Sequence, residues 1–237
     1  MSELQPPVKR ETVRSQVEKY LRDAITGGTF KSGEKLIERD LCERLSISRP
    51  SLREALRTLE AEKLITNIPH HGPMVRRMSL QEAMEVYALR TLLESYAVGE
   101  FTKRASFSDV EHLAVIVKRL KRAARGGDKE EYLEIKSEFY AAILEGCGNI
   151  LVREILEGLY ARINFLRATS LKQEGRLAKS IREIEAIQKC IKGHDPVGAS
   201  KKAGIHVGNA QKAIMNDDSA VAGSRVAGRS SRRMANR

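Results

Sequence analysis

Residues 38–57 read Glu38-Arg39-Asp40-Leu41-Cys42-Glu43-Arg44-Leu45-Ser46-Ile47-Ser48-Arg49-Pro50-Ser51-Leu52-Arg53-Glu54-Ala55-Leu56-Arg57, and beyond Leu64-Ile65-Thr66-Asn67-Ile68 the chain continues His70-His71-Gly72-Pro73-Met74-Val75-Arg76. Two amphipathic stretches are separated by the turn Leu45-Ser46-Ile47-Ser48. Ser48 is suited to cap the second stretch, Pro50 is tolerated in a first helical turn because its missing donor is not needed there, and Ser51 with Glu54 has capping-box spacing. The second helix is therefore expected to start near Arg49. Leu52, Ala55, Leu56 and Leu59 recur at helical spacing and should face a core, which leaves Arg49, Ser51, Arg53 and Arg57 toward solvent. Strands at Leu64–Ile68 and Met74–Arg76 should flank a hairpin tip, His70-His71-Gly72-Pro73, in which Gly72 allows a positive φ. Two short helices, a tight turn and a β-wing describe a reader of DNA. Such a helix fits the major groove, its N-terminus favours a phosphate, and a guanidinium there can bridge guanine O6 and N7. A solvated face is the competing explanation of each arginine taken singly.

Composition agrees with a reader attached to a second domain. The 237 residues suffice for two modest cores, and the net charge of +11 points to a polyanion without separating nucleic acid from a membrane surface. No run approaches the roughly 18 apolar residues of a membrane span, and Met1–Pro7 lacks the apolar centre of a signal peptide. No membrane partner and a cytoplasmic location are expected. Cys42, Cys147 and Cys190 are odd in number, widely spaced and set in helical patterns, so they are expected to be buried free thiols rather than a disulfide framework or a zinc knuckle.

After Arg76-Arg77-Met78 the pattern becomes helical throughout. Ser79 with Glu82 and Ser108 with Glu111 give capping-box spacing, Gly126-Gly127 closes the second helix, and Asp128 can cap a third that runs to about Glu145. Asn149 can cap a fourth with Leu151, Ile155, Leu159, Ile163 and Leu166 on one stripe. Ile181, Ile184, Ile187 and Ile191 mark a fifth, and Asp195-Pro196 opens a sixth. The fold class is thus mainly α, an N-terminal winged reader followed by an antiparallel all-helical bundle. The expected divisions are a flexible segment over 1–8, the reader over 9–77, the helical domain over 78–216, and a disordered basic tail over 217–237 that carries Arg225, Arg229, Arg232, Arg233 and Arg237.

The reader resembles the GntR family of winged helix-turn-helix transcription factors over roughly residues 9–77. The resemblance is carried by Gly28-Thr29-Phe30-Lys31-Ser32-Gly33-Glu34-Lys35-Leu36, by Glu38-Arg39-Asp40-Leu41, by Ile47 through Leu56, and by Gly72. It implies that Arg39 and Arg53 contact phosphate and bases, that Ser48 and Arg49 begin the reading helix, and that His71 with Gly72 enters the minor groove, and Ser51 on the solvent face joins them as a candidate DNA contact. Arg49 is the first candidate for base readout. Ser32 stands where the family usually has proline, a change expected to be harmless in a loop.

Residues of about 80–210 are similar, more loosely, to the FCD effector domain of FadR-type regulators, through Leu89-Arg90 with Glu94, Phe139 with Gly148-Asn149, and Ala186-Ile187 followed by Asp195-Pro196. Many such domains hold a divalent metal on an aspartate, a histidine four residues later, and two further histidines. In this chain the corresponding positions are Lys136, Tyr140, Ile184 and His206, of which only the last keeps an imidazole. An ammonium brings no lone pair and repels a cation, so no metal and no cofactor are expected. The hypothesis in their place is a small organic anion bound directly by Arg90, Lys136 and Tyr140, with Arg162 and His206 as further candidates. Its rival puts Arg90 and Lys136 on solvated faces of a bundle used only to dimerise.

One reading helix covers too few base pairs to select a site, so a homodimer on a pseudo-palindromic double-stranded DNA operator is expected. An effector that prefers one arrangement of the two readers would shift operator affinity, and repression relieved by ligand is the expected mode. An enzyme is not expected, since there is no phosphate-binding glycine loop, nucleophile elbow or zinc constellation. The alternative function is a nonspecific architectural DNA-binding protein with a helical dimerisation domain and no effector.

Overall fold

The computed structural model describes residues 12–215, so the expectations for residues 1–8 and 217–237 lie outside the described residues. The chain divides into two compact units that meet in sequence between Arg76 and Arg77. Among the described residues they hold ten helices and one two-stranded sheet.

In the first unit, α1 (Val13–Gly27) precedes α2 (Glu38–Leu45) and α3 (Arg49–Ala61), and β1 (Ile65–Ile68) pairs antiparallel with β2 (Gly72–Val75). Ser46 ends α2 in the left-handed region at φ 52°, which turns the chain sharply enough for Ser48 to cap α3. Leu52, Ala55, Leu56 and Leu59 are buried in a core with Val17, Leu21, Ile25, Leu36 and Leu41. Each fully buried leucine contributes roughly 2 kcal/mol by leaving water. The segment before α2 completes the wing: the Leu36 N–H donates to Pro73 O at 2.8 Å and the Val75 N–H to Glu34 O at 2.8 Å. The hairpin tip is shorter than expected. Ile68 faces Gly72, so Gly72 and Pro73 already belong to β2 and the loop is Pro69-His70-His71.

In the second unit α4 (Leu80–Arg104), α5 (Phe107–Gly126), α6 (Lys129–Gly146), α7 (Ile150–Gly158), α8 (Tyr160–Ser170), α9 (Arg176–Lys192) and α10 (Pro196–Met215) enclose one apolar core. There are seven helices where the periodicity predicts six. The stretch after Asn149 breaks at Leu159, next to the weak helix former Gly158, and the expected stripe is buried only in part. Leu151 and Ile155 are exposed, whereas Val152, Leu156, Ile163 and Leu166 are buried. The cap of α5 is Ser106 rather than Ser108, because Asp109 returns the hydrogen bond to the Ser106 backbone N–H at 2.8 Å and completes a capping box there. All three cysteines are free thiols, but only Cys147 is buried. Small residues let α4 and α10 approach closely, since a Cβ on Gly204 would sit 3.1 Å from Ser95 Oγ.

Candidate functional sites: an exposed basic helix and a buried basic cluster

The first site is the outer face of α3. Ser48 Oγ accepts from the Ser51 N–H at 3.3 Å and lies 2.9 Å from Ser51 Oγ, so the cap is Ser48, and the expected Ser51–Glu54 box is not what starts the helix. With the leucines turned inward, Arg49, Arg53 and Arg57 are exposed and Ser51 is half-buried. Arg53 Nε donates to Glu38 Oε2 at 3.0 Å, and Arg39, also exposed, touches Asp40 at 3.3 Å. Arg49 and Arg57 make no ion pair among the described residues. At the wing tip His70 and His71 are exposed, with positive φ at His70 (64°) and Gly72 (82°). A Cβ at Gly72 would meet nothing within 4 Å, so glycine serves the backbone conformation there and not a close approach.

The second site lies inside the helical unit and has the opposite character. Arg90 and Lys136 are 0% and 2% exposed, which removes the reading that put them on solvated faces. Helix α4 contributes Tyr87, Arg90 and Glu94 at one-turn spacing; α6 contributes Tyr132, Lys136 and Tyr140 likewise; α8 adds Arg167; α9 adds Arg176, Ser180 and Glu183; and α10 adds His206. Arg90 Nε donates to Glu94 Oε1 at 2.9 Å, and Arg167 Nη2 approaches the same oxygen at 3.5 Å. The Arg167 guanidinium stacks 4.2 Å above the Tyr140 ring. Lys136 Nζ donates to Ser180 Oγ at 3.2 Å, and the Tyr132 hydroxyl donates to the same atom at 2.8 Å. Arg176 Nη2 donates to Glu183 Oε2 at 2.8 Å, and that oxygen lies 2.6 Å from His206 Nδ1.

Burial and mutual repulsion set the protonation of this cluster. Burial, reinforced by Arg167, Arg176 and Arg90, pushes the Lys136 amine well below the usual lysine range. Burial also holds His206 down to about 3, with Lys136 opposing the imidazolium. The imidazole is then neutral, its Nδ1–H donates to Glu183, and Nε2 is left as an acceptor. Burial resists ionisation of Glu94, but Arg90 and Arg167 outweigh it and hold the carboxyl below its ordinary value. Burial likewise opposes Glu183, yet the hydrogen bond from His206 and the charge of Arg176 bring it to about 2. Among the described residues several polar atoms of the cluster are buried without a partner: Arg90 Nη1 and Nη2, Arg167 Nε, Arg176 Nε and Nη1, the Tyr87 and Tyr140 hydroxyls, and the acceptors Glu94 Oε2 and His206 Nε2. A buried guanidinium left with free donors costs several kcal/mol, so such a group calls for an acceptor.

Of the predicted effector residues, the structure brings together Arg90, Lys136, Tyr140 and His206. It places Arg162 elsewhere, facing Glu82 at 3.9 Å, about two helical turns along α4 from Arg90. Arg167, Arg176, Ser180 and Glu183 are additions that sequence reasoning missed. The available signal was a polar residue inside an apolar stripe: Arg167 follows Leu166, and Ser180 precedes Ile181. The positions at which related domains carry metal ligands do not fit a divalent cation here. Ile184 offers no donor atom, and the single imidazole faces an amine and guanidinium groups. Among the described residues no three His, Cys, Asp or Glu side chains are grouped to hold a metal ion. No described helix is long and apolar enough to cross a membrane.

Comparison with known proteins matches residues 13–75 to the bacterial regulatory proteins of the gntR family and residues 85–209 to the FCD domain. The chain is 31% identical over 165 residues to the HTH-type transcriptional repressor GlaR of Escherichia coli, covering 66% of this chain and 75% of that protein. It is 26% identical over 190 residues to the uncharacterized HTH-type transcriptional regulator YdhC of Bacillus subtilis, covering 78% and 84%. The solved structure of E. coli McbR/YncC shares the fold, with a TM-score of 0.73 at 23% identity over 86% of this chain and 96% of that one.

Proposed function

Because the chain belongs to the GntR family of bacterial regulatory proteins and carries an FCD domain, it is a DNA-binding transcriptional regulator and not an enzyme, and we propose that it is a ligand-responsive repressor acting as a homodimer in the cytoplasm. The observation that carries the reading is the outer face of α3, where Arg49, Arg53 and Arg57 stand exposed behind a serine cap while the leucines of the same helix are buried. On this reading Arg49 and Ser51 address base edges in the major groove, Arg39, Ser48 and Arg53 hold phosphates, and His71 with Gly72 reaches the minor groove. A two-fold dimer would present two such helices to a pseudo-palindromic operator. Support for a second copy comes from an apolar face left uncovered on the helical unit. Leu89, Leu92 and Tyr96 of α4 are exposed, as are Leu151 and Ile155 of α7, and Asn149 Nδ2 links the two helices by donating to the Tyr96 hydroxyl at 3.2 Å.

The effector on this reading is a small organic anion held without a metal by Arg90, Lys136, Tyr140, Arg167 and Arg176, with His206 Nε2 facing a ligand hydroxyl. The surplus of cations and their unpartnered donors support it. Competition mobility-shift assays on the DNA upstream of the protein's own gene test the regulator. Retention of a discrete complex against excess random duplex is expected, and equal affinity for random duplex would instead make the protein an architectural binder.

A further inference from the structure

Resting on the anion-site reading above, we infer that the buried cluster is built for a small ligand with two separated anionic groups, one held at each end of the site. The cluster has two ends, each with its own carboxylate and its own excess of donors. At the first, Arg90 and Arg167 share one oxygen of Glu94, so two guanidiniums face a single negative charge. Arg90 Nη1 and Nη2, Arg167 Nε, the hydroxyls of Tyr87 and Tyr140 and the one acceptor Glu94 Oε2 remain unpartnered there, so donors are in excess. This end takes one carboxylate-sized group, since one more negative charge balances the pair of cations and the free donors suit bidentate contact.

At the second end, Arg176 pairs with Glu183, and that carboxylate is already committed to His206 Nδ1 and Asn209 Nδ2. Arg176 Nε and Nη1 are left free. Lys136 Nζ has a hydroxyl as its hydrogen-bond partner, Ser180 Oγ, and no carboxylate in ion-pair contact among the described residues. A second anionic group beside Lys136 and Arg176 accepts from the free Arg176 donors and favours on the amine the proton that burial opposes. A single doubly charged headgroup would satisfy one end and leave the other with uncompensated donors.

Calorimetric titration of the full chain with malonate, succinate, glutarate and adipate, against monocarboxylates of equal carbon number and against inorganic phosphate, decides between these arrangements. At least one dicarboxylate is expected to bind about tenfold or more tightly than its monocarboxylate partner. Arg167→Gln and Arg176→Gln should each bring that ratio close to one, and circular dichroism checks that they fold. The wild-type ratio by itself keeps the inference falsifiable if a variant does not fold. Equal affinity for mono- and dicarboxylates, or tight phosphate binding with weak dicarboxylate binding, overturns the two-ended site and leaves the anion reading standing. No saturable binding by any of these acids or by phosphate removes the anion reading, and this inference with it.

Discussion

The same residue type does opposite things in the two units. In the reader unit, arginines stand on the outside of α2 and α3 over a core that is apolar, and the contacts they make, Arg53 to Glu38 and Arg39 to Asp40, are exposed. In the helical unit Arg90, Arg167 and Arg176 are inside the core, where every carboxylate counts and free donors are left over. On the proposed reading the contrast follows from the partner each surface awaits. A duplex supplies phosphates to exposed cations at little cost in protein stability, because water solvates them beforehand. A cation buried in the helical unit has lost that water, and only the fold holds it there unless an anion binds.

Deleting a carboxylate is the sharpest way to test the contrast. Glu94→Ala leaves Arg90 and Arg167 buried together without their shared acceptor, and the helical unit should lose about 3–5 kcal/mol in denaturant unfolding. A bound organic anion should restore part of the loss. An unaltered stability would mean that the cluster is hydrated and accessible, which removes the physical difference between the units.

Lys136→Met probes the same interior by pH. The folded-state pKa of Lys136 lies well below the ordinary value of 10.5, so below that value the unfolded chain binds more protons than the folded one. The lysine's contribution is therefore fully present above about pH 10.5 and is lost as pH falls toward its folded pKa. Wild-type stability minus that of the methionine variant should rise with pH on the alkaline side of neutrality, with a slope approaching one proton. A flat difference would show that the amine keeps its proton in the fold.

For the reader the equivalent experiment changes binding and not folding. Arg49→Ala should cost roughly 1–3 kcal/mol of operator affinity and relax preference at one base position, with the unfolding transition of the protein unchanged. Equal losses on operator and random duplex would make Arg49 a phosphate contact.

The two units also differ in how far their sequence can be read. The reader was legible because its signals are local: a turn, a serine at a cap, leucines at three- and four-residue spacing and a wing glycine all fall within about forty residues, and the structure places the expected residues of α3 inside and outside. In the bundle, helix existence was legible and partnership was not. A lysine at position 136 or an arginine at 167 looks like any solvated charge until the helices close around it, because its partners sit on α4, α8, α9 and α10 at separations that no local pattern encodes. The same lack of distant context merged α7 with α8: a stripe through Leu151 and Ile155 is periodic, yet those residues face outward. The shift of the α5 cap by two residues, from Ser108 to Ser106, turned on which of two serines had an acid three residues on that could reach back, and both did in sequence.

The smallest expected effect completes the comparison. Arg53 and Glu38 meet at 3.0 Å, nearly the separation of Arg90 and Glu94, but the arginine side chain is 63% exposed. Water screens both charges before and after the contact is broken, so Glu38→Gln should change the unfolding free energy by less than about 1 kcal/mol. Its consequence should appear in binding instead: releasing Arg53 from a competing carboxylate frees the guanidinium for phosphate, and affinity for both operator and random duplex should rise slightly, with a steeper salt dependence. A loss of stability comparable to that of Glu94→Ala would mean that distance rather than burial sets the strength of these pairs, and the distinction between the two units would fail.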